Sequence, residues 1–131
     1  MQRDLFADVT AFHRKFELPQ QQFPSLPDLE ILQLKLKHLH EELQEIEDGV
    51  DAKDLEQVFD GIIDLVYVTL GLAYFCNLPF NEGWQRVHWA NMKKIRAMRA
   101  EDSKRGSTFD IIKPEGWQAP KLEDLIRKEK A

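Results

Sequence analysis

The chain has 131 residues, 43% hydrophobic and 31% charged, which suffices for one compact domain with a real core and is too short for two full ones. Its net charge of -5 and pI near 5.4 exclude broad electrostatic capture of nucleic acid, which needs clustered Lys and Arg against phosphates. A lone cysteine, Cys76, excludes an internal disulfide and suits a reducing, cytoplasmic setting.

The first stretch, "MQRDLFADVTAFHRKF", interleaves charges with Leu5, Phe6, Val9, Phe12 and Phe16 near one side. It predicts a short amphipathic helix over residues 2–16 rather than a secretory signal. Three prolines in "ELPQQQFPSLPD" demand a loop, after which Asp28 is positioned to cap a second helix. That helix is expected from Leu29 to about Asp48, stopped by Gly49. Asp51 or Asp54 then caps a third helix reaching about Asn77. "NLPFNEG" is a turn, and "WQRVHWANMKKIRAMRA" predicts a fourth helix. The rest holds Gly, Pro, two short extended pieces and a final helical turn or two. The expectation is a single all-α domain over residues 1–131, a bundle of four to five helices. Residues 1–27 form its N-terminal helix and Pro-rich loop, and 103–131 a less regular tail.

Helical spacing sorts the side chains further. On the second helix Leu29, Leu32, Leu36, Leu39, Leu43 and Ile46 form one apolar stripe, the expected core face, while Glu41, Glu42 and Glu45 gather on another side. The third helix is apolar nearly all round, the mark of a central helix, except along a seam of Glu56, Asp60, Asp64, Tyr67, Gly71 and Tyr74. An aspartate in so apolar a run needs compensation, because an ionised carboxylate away from water costs several kcal/mol on the order of magnitude of measured burials. Asp64 also argues against this run crossing a membrane.

The short link after Gly49 makes the two helices antiparallel neighbours, so Glu42, Glu45, Asp60 and Asp64 face one another. Carboxylates so placed repel, and a hard divalent cation relieves them. Oxygen donors without a Cys or His cluster select Mg²⁺, or Mn²⁺, over Zn²⁺. Mg²⁺ completes its shell with waters and phosphate oxygens, so a phosphorylated substrate is expected.

The segment "HEELQEIEDG" followed by "FDGIIDLVYVTLG" resembles the paired acidic helices of the MazG-like all-α nucleoside triphosphate pyrophosphohydrolases. That group includes phosphoribosyl-ATP pyrophosphohydrolase and the dimeric dUTPases. In it one helix carries Glu-Glu-x-x-Glu and the next Glu-x-x-Asp. Glu41, Glu42 and Glu45 match the first element; in the second, Gly61 stands where the group has Glu, and Asp60 is the nearest acid before Asp64. "VHWANMKK" and "KPEGWQAPKLEDLI" resemble downstream elements of the same group, and the likeness spans roughly residues 30–126.

The resemblance implies hydrolysis of a (deoxy)nucleoside triphosphate between its α and β phosphates. Glu42, Glu45, Asp60 and Asp64 would hold Mg²⁺, with Glu41 orienting or deprotonating the attacking water. Asn91 and Lys94 would meet phosphate or sugar oxygens. His38 and His40 read as flanking polar positions, and Lys93, Arg96 and Arg99 as surface charge. Phe12, His13, Phe16, Trp84 and Trp89 are core residues or base-stacking faces. The alternative for the seam is a non-catalytic helical interaction module, in which it only fixes register. The third helix has more apolar sides than one neighbour covers, which predicts a homodimer or homotetramer.

Overall fold

The computed structural model describes residues 2–127, and among them the chain is helical: α1 (Leu5–Lys15), α2 (Leu29–Asp51), α3 (Leu55–Phe75), α4 (Phe80–Asn91) and a short α5 (Glu123–Ile126). The exception is a two-stranded antiparallel ladder of β1 (Ile95–Arg96) and β2 (Ile111–Ile112), with Ile95 opposite Ile112. The expected all-α bundle is what the chain forms. Among the described residues, 2–80 and 126–127 make one compact unit and 81–125 another.

In the first unit α3 packs along α2 and against α1. Asp4 caps α1, its side chain accepting from the Ala7 N–H at 3.0 Å, and Asp54 caps α3 by accepting from Gln57 N–H at 3.1 Å. Asp28 holds the cap position of α2 but makes no side-chain cap bond. Each of α1, α2 and α3 is followed by a non-glycine residue with positive φ: Glu17 (55°), Lys53 (53°) and Asn77 (53°). In each case the following N–H reaches back to the carbonyl five residues earlier: Leu18 to His13, Asp54 to Gly49 and Leu78 to Ala73. This closure satisfies carbonyls that a helix end otherwise orphans.

Gly49 therefore does not stop α2. It lies buried inside the last turn, where a Cβ would stand 3.0 Å from Val58 Cγ2. The left-handed turn comes four residues later, at Lys53. Asp54 closes α2 and caps α3, which leaves a very short link and makes the helices antiparallel.

The core centres on the C-terminal half of α3. Val68, Leu70, Ala73, Tyr74, Phe75 and Cys76 are buried there with Val9 of α1. The Pro-rich loop is pinned to that end: Gln21 N–H donates to Phe75 O, Ser25 N–H to Cys76 O, and the Tyr74 hydroxyl to Leu18 O. The N-terminal half of α3 is open, with Leu55 81% and Phe59 63% exposed. The α2 stripe is not the closed core face expected of it, since Leu29, Leu36 and Leu43 are exposed in the single chain.

In the second unit the helix expected through residue 100 ends at Asn91. Turn bonds from Lys93 to Ala90 and from Lys94 to Asn91 carry the chain out of it. Ile95 then pairs with Ile112, a partner distant in sequence that local spacing does not reveal. Trp117 Nε1–H donates to Ala90 O, Arg86 forms a two-pronged pair with Asp124, and the Asp110 carboxylate accepts from Ser103, Arg105 and the Ile111 N–H.

Candidate metal centre

The antiparallel register of α2 and α3 is fixed by close approaches at glycine. Gly49 meets Val58, Gly61 meets Ile46, and Gly71 meets Lys35, the order reversing between the two helices. At Gly61 the fit is tightest, a Cβ there falling 2.8 Å from Ile46 Cγ1. The position where the resembled group carries Glu is thus a contact with the backbone-proximal part of α2, with no room for a side chain.

One residue before Ile46 on α2 and three after Gly61 on α3 stand the acids. One carboxylate oxygen each from Glu42, Glu45 and Asp64 lies within 4.8 Å of the others. Glu42 and Asp64 are half-buried and Glu45 is exposed. Glu42 Oε1 accepts from His38 Nε2–H at 3.2 Å, while its Oε2 is buried without a hydrogen-bond partner among the described residues. Burial raises the Glu42 carboxyl above the ordinary carboxylate range, the charges of Glu45 and Asp64 push the same way, and His38 partly offsets them. An orphaned buried oxygen beside two more carboxylates fits a hard cation: Glu42, Glu45 and Asp64 are oxygen donors of the class that Mg²⁺ and Mn²⁺ take.

The other expected residues sit differently. Glu41 and Asp60 are exposed and lie outside this three-residue group. Asn91 closes α4 in the second unit, and Lys94 of that unit places its Nζ over the Trp117 ring, 5.0 Å from the centroid. His40 is exposed on α2. Of the aromatic candidates, Phe12 packs edge-on to Tyr67 at 5.3 Å, and His13 is buried against Tyr74 and Phe75.

Glu42 and Asp64 open into a cavity of about 260 Å³. Phe12, Tyr67 and Val68 make its apolar wall, and His13, Lys35 and His38 bring nitrogens to it. The upper half of the seam, from Tyr67 to Tyr74, is therefore covered by α1, and the acidic half joins α2. Lys35 is the residue that sequence reasoning passed over: in "LQLKLKHLHEE" it looks like one more surface charge, yet it is 7% exposed. The available signal is its position seven residues before Glu42, which puts it on the same helix face two turns away.

A family model described as phosphoribosyl-ATP pyrophosphohydrolase matches residues 9–91. The chain belongs to that family. The matched span covers α1 from Val9 onward and all of α2, α3 and α4, and with them every residue lining the cavity. Membership makes the protein a nucleotide pyrophosphohydrolase, a hydrolase acting on acid anhydrides, in a family that typically uses a divalent metal. No individual curated protein gives a significant match.

Proposed function

We propose that this pyrophosphohydrolase cleaves a (deoxy)nucleoside triphosphate between its α and β phosphates, with Mg²⁺ bound by Glu42, Glu45 and Asp64. The observation that carries the reading is the convergence of these carboxylates within 4.8 Å, with Glu42 Oε2 buried and unsatisfied. Water adds to the α phosphorus, the bond from that phosphorus to the bridging oxygen breaks, and pyrophosphate leaves with a nucleoside monophosphate as the other product. A bound divalent cation supplies charge neutralisation on the phosphoryl oxygens and a more acidic water.

The chain's own groups set the geometry. His38 holds Glu42 through Oε1, leaving Oε2 for the site. Glu41, next to Glu42 and one turn before Glu45, orients the attacking water or takes its proton. Asp60, one turn before Asp64, supplies an outer carboxylate. The open apolar surface at the start of α3 and along α2 supports assembly with further copies, as a dimer or a tetramer.

The test is pyrophosphate release from a panel of (d)NTPs with and without Mg²⁺. At least one triphosphate is expected to release pyrophosphate only with metal, and Asp64→Asn and Glu45→Gln are expected to lose at least about a hundredfold in kcat, the scale of losing a metal ligand's support. No release from any triphosphate at high enzyme concentration contradicts the reading and favours an interaction module.

A further inference from the structure

Lys35 is a largely buried cation that no acid pairs with among the described residues. It comes from α2, the residue is 7% exposed, and among the described residues its ammonium, which borders the cavity, makes no hydrogen bond or ion pair. The Phe75 ring, 5.8 Å from Nζ, offers only a weak face. Glu42 and Asp64 line the same cavity, yet neither forms an ion pair with it. A largely desolvated ammonium without a pair costs folding free energy, and an anion entering the cavity offsets that cost.

The surroundings hold Nζ in position. A Cβ on Gly71 would stand 2.9 Å from Lys35 Nζ and 2.9 Å from His13 Nε2, so the absence of a side chain at Gly71 makes the cradle in which both nitrogens converge. His13 Nδ1–H donates to Val9 O at 2.7 Å, which leaves the Nε2 lone pair of the neutral ring on the cavity side. Burial lowers the His13 pKa, and the Lys35 charge pushes it the same way, so this ring adds no second charge at neutral pH.

Lys35 and Gly71 each lie seven residues from an acid of the cluster, Glu42 on α2 and Asp64 on α3. At about 1.5 Å of rise per residue the two ends of the cavity are roughly 10 Å apart along the helices. That length suits a phosphate chain held by a cation-bearing acidic end and a fixed ammonium at the other.

We propose that Lys35 is the polyphosphate contact of this site, its ammonium pairing with a phosphoryl oxygen of the chain whose other phosphate faces Glu42, Glu45 and Asp64. This rests on the triphosphate reading above. Its consequence is a separation of duties: the acids bind the divalent ion, and Lys35 binds the anion.

The experiment is calorimetric titration of the full chain with inorganic tripolyphosphate in Ca²⁺, a parallel titration with Mn²⁺ alone, and a melting curve without ligand. Lys35→Met is expected to weaken tripolyphosphate binding at least about tenfold, the scale of losing a charge-assisted hydrogen bond. It should leave Mn²⁺ affinity within twofold and raise Tm, because an uncompensated charge becomes a packed thioether. A Lys35 with a merely structural role predicts the opposite sign in Tm. Gly71→Ala, which keeps the lysine and fills its cradle, is expected to weaken tripolyphosphate binding in the same direction. Lys35→Met binding tripolyphosphate as the native chain does, or melting lower, overturns the assignment of Lys35 alone. A native chain that binds Mn²⁺ but no tripolyphosphate overturns both this assignment and the triphosphate reading.

Discussion

Replacing Gly61 by Ala tests the link between the helix crossing and the metal centre. In a helix interior Gly→Ala ordinarily stabilises by about 1 kcal/mol. Here the added Cβ would lie 2.8 Å from Ile46 Cγ1, inside the 3.4–4 Å of ordinary contact, and a β-branched side chain on a helix has little freedom to swing away. Overpacking of this kind costs about 1–3 kcal/mol, so the propensity gain is offset and Gly61→Ala should destabilise by about 1 kcal/mol net. Gly83→Ala is the control, because a Cβ there meets nothing within 4 Å; it should stabilise by about 0.5–1 kcal/mol. Urea denaturation at fixed protein concentration reads both, and the cycle with Ile46→Ala should show a favourable coupling of about 1–2 kcal/mol. Since Ile46 adjoins Glu45 and Gly61 lies one turn before Asp64, relief by separation of α2 and α3 should also weaken Mn²⁺ binding. If Gly61→Ala stabilises as much as Gly83→Ala, or shows no coupling to Ile46, the glycine does not set the crossing.

Lys53 closes α2 at φ 53° without being glycine, a conformation that costs a residue with a Cβ about 1 kcal/mol, so Lys53→Gly should raise stability by roughly that amount less the added chain entropy. His13 has a folded pKa lowered by burial. The unfolded chain therefore binds more protons below its ordinary value of 6.5, and stability should fall as pH drops through that value, with a smaller fall in His13→Gln, as melting curves across pH will show. Asp110 has its carboxyl held down at about 2 by Arg105 and Ser103; Asp110→Asn should lower Tm at neutral pH and converge with the native chain as pH falls through 3.8 toward 2, where the native carboxylate too is protonated. Native mass by light scattering should be two or four times 15.4 kDa, and Phe59→Glu on the open face of α3 should shift it toward the single chain.

The helices and the acids were legible in the sequence for a common reason: both follow local spacing. Apolar residues at helical intervals placed α2 and α3, and Glu42, Glu45 and Asp64 fall on facing sides once those helices are antiparallel. What depends on contact was not legible. Gly49 looked like a helix stop but serves the approach of Val58, and the actual stop is a lysine in the left-handed region. The fourth helix looked longer because Ile95 and Met98 continue its spacing, while the pairing of Ile95 with Ile112 ends it. Lys35 is hidden for the same reason. Its burial comes from α1 and from the bare backbone of Gly71, two elements remote in sequence, and within the chain only its seven-residue spacing to Glu42 separates it from Lys37.

Gly61 departs from the expected Glu-x-x-Asp element at the point where α3 crosses Ile46 of α2. A missing acid in the expected Glu-x-x-Asp element looks like a weakened metal site when only spacing is considered. At the helix crossing the same glycine lets α2 and α3 close until Glu42, Glu45 and Asp64 share one space. The site reaches its charge density through proximity, with three carboxylates in the group and Asp60 outside it.

Equilibrium binding of Mn²⁺, followed by its electron paramagnetic resonance signal, addresses the acidic cluster without presuming a substrate. The native chain should bind the ion, and Asp64→Asn and Glu42→Gln should each weaken it at least about tenfold while remaining folded by circular dichroism. Absence of binding to the native chain, or affinity unchanged in both variants, would contradict the assignment of Glu42, Glu45 and Asp64 as a divalent-metal centre.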